Sequence, residues 1–113
     1  MVSPRARSRA SQVATQVGAQ GRPIVWVTLL SQGDCGLCDQ AKAVLMRLQQ
    51  DPALPVQLEI NEFGLDSSEG QTLASGAGVV FAPGVLLDGQ PFSHGRLSER
   101  KLRKALAERL SAP

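Results

Sequence analysis

The sequence has no tyrosine, one tryptophan, three phenylalanines, one histidine and two cysteines. Each scarcity excludes something. With only Trp26, Phe63, Phe81 and Phe92 as aromatics, any core is built from Leu, Val, Ile and Ala, and the 42% hydrophobic content is enough for one. Two cysteines three positions apart do not make a secreted disulfide scaffold, which needs several bridges closing long loops. Together with the lone His94 they fall short of the four ligands of a structural zinc site. No run approaches the ~18 apolar residues of a membrane span, and the N-terminus lacks the apolar segment of a secretory signal. A reducing, cytoplasmic compartment and no membrane partner are the expectation.

Acidic residues are missing from the first 22 positions. Arg5, Arg7, Arg9 and Arg22 give that stretch +4, whereas the remainder holds eight basic and ten acidic residues, −2, which together make the +2 of the chain. The stretch is rich in Ser, Ala and Gln and cannot bury enough surface to offset its ordering entropy. A flexible basic tail over residues 1–22 and a single domain over 23–113 are therefore expected. The domain is mildly acidic and lacks the electrostatic footprint of a nucleic-acid binder.

What is present has a clear order. Ile24-Val25-Trp26-Val27-Thr28-Leu29-Leu30 is continuous and rich in β-branched residues, which predicts a buried strand with Trp26 in the core. Leu37, Ala41, Val44, Leu45 and Leu48 recur at i, i+4, i+7, i+8 and i+11, one face of a helix from Gly36 to about Gln50. Alternation over residues 56–62 predicts a second strand, parallel to the first through the helical crossover. A short helix capped near Ser67, reaching about Ser75, is expected next. Asp88-Gly89 between apolar runs signals a hairpin, and Ser98 caps a last helix whose buried stripe is Leu102, Ala105, Leu106 and Leu110. Two parallel strands, an antiparallel hairpin and helices on both faces make a four-stranded mixed sheet in three α/β/α layers.

Cys35-Gly36-Leu37-Cys38 falls where the first strand gives way to the first helix. Free N–H groups and the macrodipole at a helix start favour an anion, so a thiolate there is stabilised. Cys35, at the edge, is expected to attack a disulfide, and Cys38, one turn further in, to resolve the mixed disulfide. Two other uses of the same residues stay open: a dimer holding zinc or an iron–sulfur cluster through both cysteine pairs, or two inert thiols. Asp34 and Asp39 flank the pair and oppose a neighbouring thiolate, while Lys42 reads as a surface lysine and His94 as a loop residue.

With these elements in this order, the chain resembles a glutaredoxin-like member of the thioredoxin superfamily. The likeness rests on residues 27–45 around Cys35-Gly36-Leu37-Cys38-Asp39-Gln40-Ala41-Lys42, on Phe81-Ala82-Pro83-Gly84-Val85-Leu86-Leu87-Asp88-Gly89, and on Gly95-Arg96-Leu97-Ser98-Glu99-Arg100-Lys101-Leu102. With the element order it covers residues 23–110. It implies a thioredoxin-like fold and a thiol-disulfide oxidoreductase that reduces protein or glutathione mixed disulfides through a Cys35–Cys38 redox-active disulfide. It further implies that Pro83 is cis and faces the cysteines. The backbone of Ala82 and Pro83 then pairs with an extended peptide or glutathione, and Gly36 and Leu37 complete the substrate surface. No bound cofactor and no metal are implied; glutathione is the candidate reductant, a reductase system the partner and a monomer the expected state. Gly36-Leu37 departs from the Pro and aromatic usual between glutaredoxin cysteines. His94-Gly95-Arg96 stands where a Gly-Gly-x-Asp-like glutathione-binding stretch is usual.

Overall fold

The run of residues 24–30 lies at the centre of the sheet. The structure, a computed structural model, describes Val17 and residues 21–111, with Leu110 and Ser111 as backbone only. Strand β1 (Ile24–Ser31) pairs in parallel with β2 (Gln57–Gly64), from Ile24 opposite Gln57 to Ser31 opposite Gly64. On its other side it pairs antiparallel with β3 (Gly84–Leu87), which turns back into β4 (Gln90–His94), so the order is β2-β1-β3-β4. Apart from an isolated bridge between Val17 and Pro23, the expected tail lies almost wholly outside the described residues.

Three helices follow their strands: α1 (Gly36–Gln49), α2 (Ser68–Ala77) and α3 (Glu99–Ser111). The pleat of β1 sends Val25, Val27 and Leu29 to one face. There they join Leu58, Val85 and Leu87 in a cluster with Ala41, Leu45 and Leu48 of α1 and Leu102 and Leu106 of α3. Leu30 and Leu86 point the other way and meet Ala74 and Val79. Helices α1 and α3 thus cover one face and α2 the other, the three-layer arrangement expected. Leu110, the last member of the expected α3 stripe, lies outside the described side chains.

Trp26 departs from expectation. It shares a face with Leu30, yet is 42% exposed. Ten residues of helix span about 15 Å, whereas the eight residues of β1 span about 26 Å. Helix α2 therefore covers the Leu30 end of the strand and stops short of Trp26.

Helix α2 is fixed by its ends. The Ser67 hydroxyl donates to the Gly64 carbonyl at 2.7 Å and accepts the Gly70 N–H at 2.9 Å. At the far end Gly78 adopts φ 73°, so the helix passes Gly76 and stops two residues later than expected. Gly70 has no room for a side chain, because a Cβ there would fall on the Gly64 carbonyl oxygen. The first turn of α2 thus rests directly on the end of β2.

The hairpin is held from below. Asp88 and Gly89 both take positive φ, 49° and 82°, the conformation that a two-residue turn of matching twist requires. The Asp88 N–H donates to the Trp26 carbonyl at 2.7 Å, and its carboxylate accepts the Trp26 N–H at 2.9 Å. Arg109 of α3 pairs with the same carboxylate.

Candidate active site

Helix α1 starts at the dithiol. Asp34, with φ 51°, turns the chain out of β1, and Cys35 at φ −122° is the N-cap. Its sulfur takes the role usually given to a Ser or Asp oxygen and accepts the Cys38 backbone N–H at 3.0 Å. The Asp39 N–H closes the first turn on the Cys35 carbonyl at 3.1 Å. Cys35 and Cys38 are joined in a disulfide, with Cα atoms 5.2 Å apart.

The two sulfurs are not equivalent. Cys38 is 3% exposed, while Cys35 is only half-buried. Cys38 takes the inward position on α1 that the periodicity assigned to Leu37, and Leu37 turns to solvent instead. Gly36 is exposed as well. The residues between the cysteines therefore form an open surface beside the accessible sulfur.

A second segment reaches the same end of the sheet. The last pair between β1 and β3 is Leu30 with Gly84, so Pro83 stands level with Ser31, just before the dithiol loop. The Ala82–Pro83 bond is cis, as the resemblance implies. Pro83 is fully buried, and its carbonyl accepts the Gly95 N–H at 2.8 Å. Ala82 is half-buried, whereas Val80 and Phe81 before it are exposed. Phe81 meets the His94 ring edge to face, with centroids 4.8 Å apart.

One residue near the site was not anticipated. Glu62, on the α1 side of β2, accepts the Ser31 hydroxyl at 2.6 Å and pairs with Lys42 at 3.1 Å. The Ser31 hydrogen bond, and after it Lys42, hold its carboxyl below the usual glutamate range. Lys42 is thereby engaged by Glu62 and offers less to offset Asp34 and Asp39. The signal was visible: Val56, Leu58 and Ile60 point inward at alternate positions, and Glu62 continues their parity. Among the described residues no three His, Cys, Asp or Glu side chains gather as a metal set.

No protein-family model matches the sequence, and no curated protein does. Solved structures do match. A mutant thioredoxin from Halobacterium salinarum is 25% identical with TM-score 0.57, over 74% of this chain and 73% of that one. The chain has the thioredoxin fold. Trxlp from Edwardsiella tarda superimposes with TM-score 0.57 at 18% identity, over 91% of this chain and 95% of its own. A thioredoxin-like protein from Clostridium perfringens gives 0.59 at 11% identity, over 95% and 90%. In this thioredoxin-fold chain the Cys-x-x-Cys pair sits at the start of α1 and the cis-proline at the start of β3, at one end of the sheet.

Proposed function

We propose that the chain is a glutaredoxin-like thiol-disulfide oxidoreductase that reduces disulfides of proteins, or mixed disulfides of glutathione, in a reducing cytoplasmic compartment. One observation carries the reading: the accessible Cys35 sulfur caps α1 and accepts the Cys38 N–H. In the reduced protein the same amide and the helix dipole favour the thiolate. That thiolate attacks one sulfur of the substrate disulfide and displaces the other as a thiolate. Cys38, buried one turn deeper, then attacks the Cys35 sulfur, releases the second substrate thiolate and leaves the Cys35–Cys38 disulfide. Two electrons have passed to the substrate. Glutathione or a reductase system restores the dithiol with two more.

The half-buried Ala82 beside the buried Pro83, and the exposed Gly36 and Leu37, support binding of an extended chain across the dithiol. Coupled NADPH oxidation with glutathione and glutathione reductase, on a glutathione mixed disulfide, tests the reading. Wild type and Cys38→Ser should turn over, and Cys35→Ser should not. The same assay on a protein disulfide with a thioredoxin reductase tests the other reductant. Absence of turnover in both systems would remove the proposal.

A further inference from the structure

Strand β2 is a margin of the sheet, with β1 on its inner side and, among the described residues, no strand on its outer side. Its backbone groups alternate in direction. The Gln57 N–H donates inward to the Pro23 carbonyl at 2.8 Å, and the Leu65 N–H to the Ser31 carbonyl at 2.7 Å. Odd-numbered residues of β2 therefore face β1, while Leu58, Ile60, Glu62 and Gly64 turn their N–H and C=O groups outward. Both ends of this outer edge are closed. The Gln49 side chain donates to the Leu58 carbonyl at 3.1 Å, and the Ser67 hydroxyl and N–H donate to the Gly64 carbonyl. Between them the outward groups of Ile60 and Glu62 have no hydrogen bond among the described residues.

A cleft flanks this opening on each face of the sheet. One of about 430 Å³ is lined by Phe63 of β2 and by Ser68, Glu69, Thr72 and Leu73 of α2. The other, of about 240 Å³, is lined by Leu29, Leu45 and Ile60, by the half-exposed Met46, and by the Lys42–Glu62 pair. No residue of β3, β4 or α3 lines either cleft, so both open on the outer side of β2. The charge of this margin has one sign. From Gln57 to Ala77 the chain carries Glu59, Glu62, Asp66 and Glu69 and no basic residue. Lys42, reaching over from α1, is engaged by Glu62.

The geometry points to strand addition: the outer edge of β2 receives an extended segment of another protein, apolar in its middle and basic at its ends. An open edge is a template for a further strand, and here the open stretch is the middle of β2. Backbone hydrogen bonds to Ile60 and Glu62 hold the segment, and its side chains select it. Successive side chains of a strand point to opposite faces, so neighbouring apolar residues enter the α1-side cleft and the α2-side cleft in turn. Lys or Arg at the ends of the segment meets Glu59 and Glu69, both outside the ion pairs of the described residues. A second copy of this chain fits less well, because it brings the same acids to the same edge. The dithiol takes no part, so the inference stands apart from the oxidoreductase reading.

Amide hydrogen exchange of the full chain, read residue by residue by NMR, tests this with a blocked Lys-Val-Ile-Val-Lys peptide. With the peptide at about ten times its Kd, exchange at Ile60 and Glu62 should slow ~10-fold, as mass action on an edge so occupied requires. Asn61 and Phe63, whose N–H groups already face β1, should change little. Glu69→Lys should weaken the peptide ~2–5-fold at low salt, and the difference should shrink at high salt. Slowing of all four amides alike, or shifts in the clefts without slowing, would overturn strand addition. Equal protection by a Glu-Val-Ile-Val-Glu peptide would overturn the basic partner. Ile60 and Glu62 amides already protected without peptide would mean that the chain itself covers the edge, or a second copy where protection rises with protein concentration. Either result would overturn the assignment, as would no response to the peptide.

Discussion

Replacing Gly70 by alanine sets two effects of opposite sign against each other. Gly70 lies in the first turn of α2, where alanine is the better helix former by up to ~1 kcal/mol. On propensity alone the substitution stabilises. Packing opposes it, because the new methyl falls on the Gly64 carbonyl oxygen and crowds the Ser67 hydroxyl. Backbone at the end of a paired strand does not swing aside as a long side chain does, so α2 has to lift from β2. Overpacking of this kind costs ~1–3 kcal/mol. Lifting the helix also weakens the bond from the Gly70 N–H to Ser67, a cap worth ~1 kcal/mol. The expected net loss is ~1–3 kcal/mol, with thermal unfolding lowered by ~4–8 °C per kcal/mol for a domain of this size. Gly76 is the control. It lies in the same helix with nothing within 4 Å of a Cβ, so Gly76→Ala should gain ~0.5–1 kcal/mol. Urea unfolding followed by far-ultraviolet circular dichroism measures both. Gly70→Ala as stable as wild type would mean that α2 does not rest on the end of β2.

Two further outcomes concern charge and turn. A carboxyl with a depressed folded-state pKa contributes stability that is present above its unfolded value and lost as pH falls through the folded one. Glu62, lowered from 4.5 chiefly by Ser31, should make wild type more stable than Glu62→Gln near neutrality, with the difference closing in acid. The margin stays under ~1 kcal/mol because the carboxylate is partly exposed and screened; urea midpoints at about pH 7 and pH 3 measure it, and an unchanged difference would refute the sign. Asp88→Ala removes the acceptor of the Trp26 N–H and places alanine at φ 49°, a loss of ~1–3 kcal/mol. Asp88→Asn should lose less, since asparagine tolerates that backbone, and amide exchange at Trp26 should be fast only in the alanine variant.

Much of this was legible in the residues. The apolar run of β1 and the spacing from Ala41 to Leu48 mark their elements because burial imposes those periods. The Asp88-Gly89 turn was equally plain, since few residue pairs accept two positive φ angles in succession. Helix α2 was less so. Its window has three glycines counting the cap, and it is secured by Ser67 and by contact with Gly64, which only the fold brings near. The exposure of Trp26 depends on how far a helix on another part of the chain extends, and a seven-residue run with only Thr28 polar does not disclose which face lacks cover. Glu62 stood at an inward parity, yet Ser31 and Lys42 became its partners only through the register of β1 on β2. The dithiol was readable because its pairing and its cap are local to residues 35–38. The cis bond before Pro83 was not, since a single X–Pro pair carries no mark of its isomer; only the family likeness pointed to it.

The place of Trp26 has an optical consequence. It is the only tryptophan, and no tyrosine competes with its emission. Five residues of β1, about 16 Å of strand, separate it from Ser31, and the dithiol lies beyond that. Sulfur quenches an indole at contact range, so intrinsic fluorescence should remain the same whether Cys35 and Cys38 are oxidised or reduced. The emission reports instead on the hairpin tip and the N-terminal end of the central strand. Unfolding of both redox forms can therefore be followed on one signal, while the redox state itself has to be read from thiol labelling.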